Sequence, residues 1–177
     1  MRIVPALLVL GLLLAGAASA AGLAYVRVTG LRSQPDPGGL ETRLARFVRA
    51  QAVPLEIKTM PNPVPASSEA VAAGMKHFAR YCALCHGNDG SGKGTAYGRG
   101  FFPKAPDMRA AATQDLTDGE IFYIIENGVR FTGMPAFGTG TADPQGETLA
   151  WQLVRFVRRL AAITPDEIAE MEALNPL

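Results

Sequence analysis

The chain has 177 residues, with 17 Lys and Arg against 16 Asp and Glu. A net charge of +1 gives nucleic acid no electrostatic footing. The charge is uneven: residues 1–67 carry 7 basic and 3 acidic side chains (+4), and residues 68–177 carry 10 and 13 (−3). Two cysteines are too few for a disulfide framework, and the close spacing of Cys82 and Cys85 belongs to cofactor or redox motifs.

From Ile3 to Val26 no residue is charged, 24 positions bounded by Arg2 and Arg27. As a helix they would extend about 36 Å, more than the roughly 30 Å hydrocarbon core of a bilayer. Ala18-Ser19-Ala20 reads like a signal-peptidase site, so cleavage after Ala20 competes with retention as an anchor. The apolar run continues through Leu23, Tyr25 and Val26, and a processed chain would begin with an apolar stub. The expectation is a membrane anchor over residues 1–28. Either reading delivers the rest of the chain to the periplasmic or extracytoplasmic side. The five arginines from Arg27 to Arg49 run against that orientation under the positive-inside rule.

Leu40, Leu44, Phe47, Val48 and Gln51 then share one face of a helix, with Arg43, Arg46 and Arg49 mostly on the other. Such a helix suits a membrane surface or plain solvent equally well. Four prolines between Pro54 and Pro65 oppose a helix and predict a stretched spacer, which closes a linker over residues 29–66.

The folded domain is expected from Ser67. Val71, Met75, Phe78 and Cys82 recur at helical spacing with Gly74 beside them, and this stripe runs into Cys82-Ala83-Leu84-Cys85-His86. Cys-x-x-Cys-His is the attachment signature of c-type haem. Two thiols one helical turn apart can each add to a haem vinyl group, and the adjacent imidazole then faces the iron. A thioredoxin-like pair would need a preceding strand and no histidine, and nothing upstream reads as a strand. A zinc site from His77, Cys82, Cys85 and His86 would force two neighbouring residues onto one tetrahedral ion. His77 reads as an ordinary helix-surface residue.

Beyond the motif, the glycine-rich stretch from Gly87 to Thr95 nearly spells a phosphate loop. Gly94 stands where Ser or Thr is needed, and no strand precedes it; a flexible turn is the expectation. Thr117-Asp118-Gly119-Glu120 is a capping box that opens a short helix ending at Asn127-Gly128. Leu149, Leu153, Phe156 and Leu160 form a further helical stripe, which Trp151 lies off. Thr164-Pro165-Asp166-Glu167 opens a terminal helix over residues 164–177.

On these residues, positions 68–163 resemble a small single-haem c-type cytochrome domain of bacterial electron-transfer chains. The resemblance implies an all-α fold of about four or five helices around one covalent haem c. It also implies a close crossing of the first and last helices, which Gly74 and Phe78 against Leu153 and Phe156 would serve. It further implies a methionine as the second axial ligand. Met75 belongs to the first helix stripe, Met60 to the spacer and Met171 to the terminal helix, while Met108 follows Pro106-Asp107. Met134, flanked by glycine and proline in Gly133-Met134-Pro135, best matches the family's ligand loop; Met108 is the alternative. A proline carbonyl from Pro103 or Pro106 would accept the His86 Nδ1 proton.

The haem-binding residues are thus expected to be Cys82, Cys85, His86 and Met134, the last two on iron, in a haem domain spanning residues 67–163. Both axial positions filled argue for electron transfer rather than catalysis. The expected role is a tethered single-electron shuttle among redox proteins of the membrane or periplasm, without nucleic acid or a small-molecule substrate. A fixed haem subunit of a larger oxidase, reductase or dehydrogenase is the alternative, and a peroxidase or gas sensor with displaceable Met134 is a more distant one.

Overall fold

In the computed structural model of the chain, residues 3–33, 36–138 and 144–175 are described. Two compact units emerge, Met1–Ser33 and Gln34–Leu177, and every element among the described residues is helical. The first unit is one helix, α1 (Ile3–Thr29), whose stretch Val4–Thr29 is long and apolar enough to cross a membrane and buries none of its side chains. Gly30, at φ 70°, ends it by donating its N–H to the Val26 carbonyl at 2.8 Å.

The second unit holds α2 (Gly39–Ala52), α3 (Leu55–Lys58), α4 (Ser68–Tyr81), α5 (Ala83–His86), α6 (Ala96–Gly100), α7 (Ala111–Gln114), α8 (Asp118–Asn127), α9 (Pro144–Arg159) and α10 (Pro165–Leu174). Its core is the crossing of α4 and α9. Gly74 lies against the Gln152 backbone and the Phe156 side chain, so close that a Cβ there would meet the Gln152 carbonyl carbon at 2.8 Å. One turn on, the Phe78 and Phe156 rings meet at 5.1 Å and 57°, a tilted arrangement that aromatic quadrupoles favour. The crossing expected of Gly74, Phe78, Leu153 and Phe156 is present, and Phe78, Leu153 and Phe156 are all buried. Trp151, off the predicted stripe, is buried too: it stacks on Phe122 of α8 at 4.1 Å and 5°.

Three helix starts follow the expected chemistry. Ser67 caps α4 by accepting from the Ala70 N–H, and capping boxes at Thr117/Glu120 and Thr164/Glu167 open α8 and α10. Glu167 also takes the guanidinium of Arg159 in a two-pronged pair at 2.8 and 3.1 Å. Arg159 first, and then the Thr164 backbone and hydroxyl, lower the Glu167 carboxyl from 4.5 to about 2. Because the folded value lies below the unfolded one, the pair stabilises the fold above pH about 4.5, and that contribution fades as pH falls towards 2. The expected result is that Glu167→Gln unfolds more easily than the parent at neutral pH, while the two converge near pH 2. Acid titrations of circular dichroism at fixed denaturant check this.

The proline-rich segment departs from the stretched spacer expected of it. Pro54 stands at the N-cap, where its missing N–H costs nothing, so Leu55–Lys58 closes a helical turn. This turn packs against α8, where Gly119 admits the Ile57 backbone so tightly that a Cβ would fall 2.8 Å from the Ile57 carbonyl carbon. Further on, Asn62 Nδ2 donates to the Trp151 carbonyl at 3.0 Å, and Arg155 donates to the Val64 carbonyl from Nε at 3.0 Å and Nη2 at 2.6 Å. Val64 rests against the core. Prolines forbid a long helix, but they leave carbonyls free, and α9 supplies the donors.

Candidate haem site

The pentapeptide sits where α4 ends and α5 begins. Cys82 is at once the C-cap of α4 and the residue preceding α5, with its N–H on the Phe78 carbonyl at 2.8 Å. Cys85 and His86 complete the turn by donating their N–H groups to the Cys82 carbonyl at 3.1 and 2.9 Å. The three reactive side chains are therefore carried by one turn whose root is the α4–α9 core. Both cysteines are free thiols. Burial, with Cys85 adding a little, pushes the Cys82 thiol up to about 12, and burial raises Cys85 as well. A dithiol built for exchange has at least one thiol lowered. Here both move the other way, which argues against a thioredoxin-like pair.

His86 is buried, and burial lowers its imidazole from 6.5 to about 4, leaving it neutral at physiological pH with a lone pair to give. The Pro106 backbone acts in the opposite sense, as a hydrogen-bond acceptor would, while Nδ1 makes no hydrogen bond of ordinary geometry. The contact is thus a loose one. Of the two prolines that sequence left open, only the Pro106 backbone contributes to the electrostatics of the ring. A buried, neutral imidazole with no hydrogen bond, beside two free thiols, fits a c-type haem. Among the described residues no three His, Cys, Asp or Glu side chains group closely enough for a separate metal ion. His77 is half-buried beside Tyr81, with ring centroids 4.7 Å apart.

The loop after His86 is built rather than loose. Gly87, Gly90, Gly92 and Gly94 all take positive φ, between 69° and 84°. Gly92 donates its N–H to the His86 carbonyl at 2.8 Å, Met108 donates to the Gly90 carbonyl at 2.8 Å, and Asn88 and Ser91 are buried. Four left-handed positions demand glycine, and that demand is the reason for the near phosphate-loop composition. The turn expected of the sequence is a hydrogen-bonded collar. Thr95 adds a bond from its hydroxyl to the Cys85 carbonyl at 3.2 Å, and Gln114 ties the Met108 and Val157 carbonyls together at 2.7 and 2.9 Å. Neither residue carried a signal in the sequence, because single polar side chains that bridge distant backbones have no periodicity.

Met75 and Met171 belong to the buried core, and Met108 packs against it. Met134 differs: it is partly buried yet outside that cluster, on a loop pinned from both sides. Its N–H donates to the Thr132 hydroxyl at 3.1 Å, and its carbonyl accepts from Val129 N–H at 3.2 Å. Just before it, Phe131 is 92% exposed at φ 63°, a left-handed strain for an aromatic residue. A methionine whose backbone is pinned while its side chain stays outside the core is available as a ligand. The segment between this loop and α9, residues 139–143, lies outside the described residues.

A family model described as cytochrome C oxidase, cbb3-type, subunit III, matches residues 69–157, which is 89 of the 177 positions. The matched stretch runs from α4 nearly to the end of α9 and contains Cys82, Cys85, His86 and Met134. No curated protein matches the chain.

Proposed function

The chain belongs to the family described as cytochrome C oxidase, cbb3-type, subunit III, and from that premise we propose that it passes single electrons through one haem held by Cys82, Cys85, His86 and Met134. Haem so bound supplies a one-electron iron couple, and a neutral imidazole with a thioether favours the ferrous side. The residues of the chain do the rest. Cys82 and Cys85 provide the two thioether positions from a single turn. His86 offers a neutral nitrogen because burial disfavours its protonated form. With haem bound, the Pro106 carbonyl would accept the His86 Nδ1 proton, and the glycine collar keeps the His86 carbonyl engaged. The 1–28 segment would hold this unit to the membrane, with the 67–163 domain on the extracytoplasmic side and 164–177 closing it.

The observation that carries the reading is the buried, uncommitted His86 directly after two free thiols on the α4–α5 turn. Haem should stay with the polypeptide through acidic organic extraction, and the Cys82→Ser, Cys85→Ser double variant should lose it. The oxidised protein should show the weak long-wavelength methionine–iron band. Met134→Ala should abolish that band and Met108→Ala should spare it; the reverse outcome would transfer the ligand role to Met108.

Between a shuttle and a fixed subunit, the docked segment Leu55–Val64 favours the fixed subunit. A leash gains effective concentration from freedom, and this one is bonded to α8 and α9 along its length. The partners are then redox proteins of a membrane complex. Detergent extraction followed by mass measurement should recover the protein with residues 1–26 attached and a stoichiometric companion. A soluble product that starts at Ala21 and travels alone would remove both the anchor and the fixed-subunit assignment.

A further inference from the structure

Helix α2 is turned inside out. On a helical wheel of 100° per residue, Leu40, Leu44, Phe47 and Val48 form one stripe, and Arg49 lies roughly 150° away from its centre. A surface helix normally lays its stripe on its own core. Here no residue of α2 is buried, and the four apolar side chains are 82%, 60%, 61% and 57% exposed. The polar side faces the domain instead: Arg49 is partly buried and feels the Glu120 carboxylate of α8. Lys58 of α3 holds this end in place by donating to the Ala50 carbonyl, with its ammonium 3.8 Å from Glu120. Val53, the residue after α2, is buried and fastens the junction.

We propose that the outward stripe of α2 lies in the headgroup layer of an anionic phospholipid bilayer, so that the haem-bearing unit rests on the membrane rather than standing off it. Three observations select lipid over other occupants. The helix carries Arg43, Arg46 and Arg49 against the single acid Glu41; Arg43 and Arg46 are exposed, and Arg43 flanks the stripe, where a guanidinium meets phosphates. Nine residues separate Thr29 from Gly39, so α2 begins within about 31 Å of chain from the end of α1. The stripe is also narrow, one helix of about 21 Å, suited to a shallow apolar layer. The proposal rests on α1 being the membrane anchor, and it holds for either side of the membrane.

The test uses the full-length haem-loaded protein in nanodiscs, reduced so that the iron does not interfere, with single spin labels read by power saturation. Labels at Leu12→Cys, Leu44→Cys and Ala45→Cys report α1, the stripe and an exposed position of α2 away from the stripe. In phosphatidylglycerol-containing discs, Leu44→Cys should gain oxygen contact and lose contact with aqueous nickel chelate, while Ala45→Cys stays reachable by the chelate. Replacing the anionic lipid with phosphatidylcholine should weaken the protection. Equal chelate contact at 44 and 45 would overturn the proposal, provided that Leu12→Cys is protected; chelate contact at Leu12→Cys would refute the anchor itself. Protection at 44 in native membranes but not in nanodiscs would overturn it in favour of a protein partner.

Discussion

Gly74→Ala lowers the unfolding free energy of the haem-loaded protein by about 3 kcal/mol, the upper part of the range for overpacking a tight core. Two effects oppose each other. Alanine in a helix interior is favoured over glycine by up to about 1 kcal/mol, which would stabilise α4 alone. The new methyl would, however, press into the Gln152 backbone and the Phe156 Cβ, and backbone cannot swing aside as a side-chain tip can. The crossing must open, and the Phe78–Phe156 contact and the buried Leu153 open with it. Gly39→Ala is the control: it lies on α2 with nothing within 4 Å of the added methyl and should leave stability nearly unchanged. Denaturant melts of the two variants, followed by far-ultraviolet circular dichroism, decide the matter. Equal midpoints would mean that the crossing tolerates separation.

Arg155→Met should cost about 2 kcal/mol, the scale of hydrogen bonds made by a charged group. Its guanidinium serves the Val64 carbonyl twice and stands 3.7 Å from Asp118, while its own side chain is only 22% exposed. Methionine keeps the aliphatic bulk against the core and removes the donors. The distinctive expectation is where the loss appears. Protease should cut within residues 54–66 of the variant faster than in the parent, with the absorption spectrum unchanged. If the segment stays protected, Asn62 on Trp151 and the Ile57–Gly119 contact hold it unaided. Should it come loose, electron delivery within the membrane complex should slow, because a bonded strap would have become a free linker.

Legibility in the sequence followed the range of each interaction. Features set by neighbours in the chain were readable: the capping boxes at Thr117 and Thr164, the pentapeptide, and the small residue at Gly74 beside a helical stripe. Features set by residues far apart were not. Trp151 looked misplaced because its partner, Phe122, lies on another helix. The prolines from Pro54 to Pro65 argue against any helix, yet Leu55–Lys58 closes a helical turn, and nothing local announces that Arg155, 91 positions later than Val64, will bond its carbonyl. The glycines after His86 read as looseness because composition does not distinguish a mobile turn from four obligatory left-handed residues. Only the bonds from Gly92 to His86 and from Met108 to Gly90 make that distinction. Met134 stood out through its proline and glycine flanks, and its place outside the core cluster supports the same choice.

The α4–α9 crossing brings together Gly74 and Gln152, which are 78 positions apart. Closing a loop of that length costs about 4 kcal/mol of chain entropy before any packing is gained. The segments that dock afterwards lean on this pair: Val64 bonds to Arg155 of α9, and Asn175 Nδ2 donates to the Ala79 carbonyl of α4. Both contacts need α4 or α9 in place, so folding should be limited by a long-range encounter rather than by helix formation. The pentapeptide is the exception, since its five residues are contiguous and need no tertiary partner to present two thiols and an imidazole. If haem is attached at Cys82 and Cys85 as proposed, that attachment can precede the slow step, and the chain would then search for its crossing with the cofactor in place.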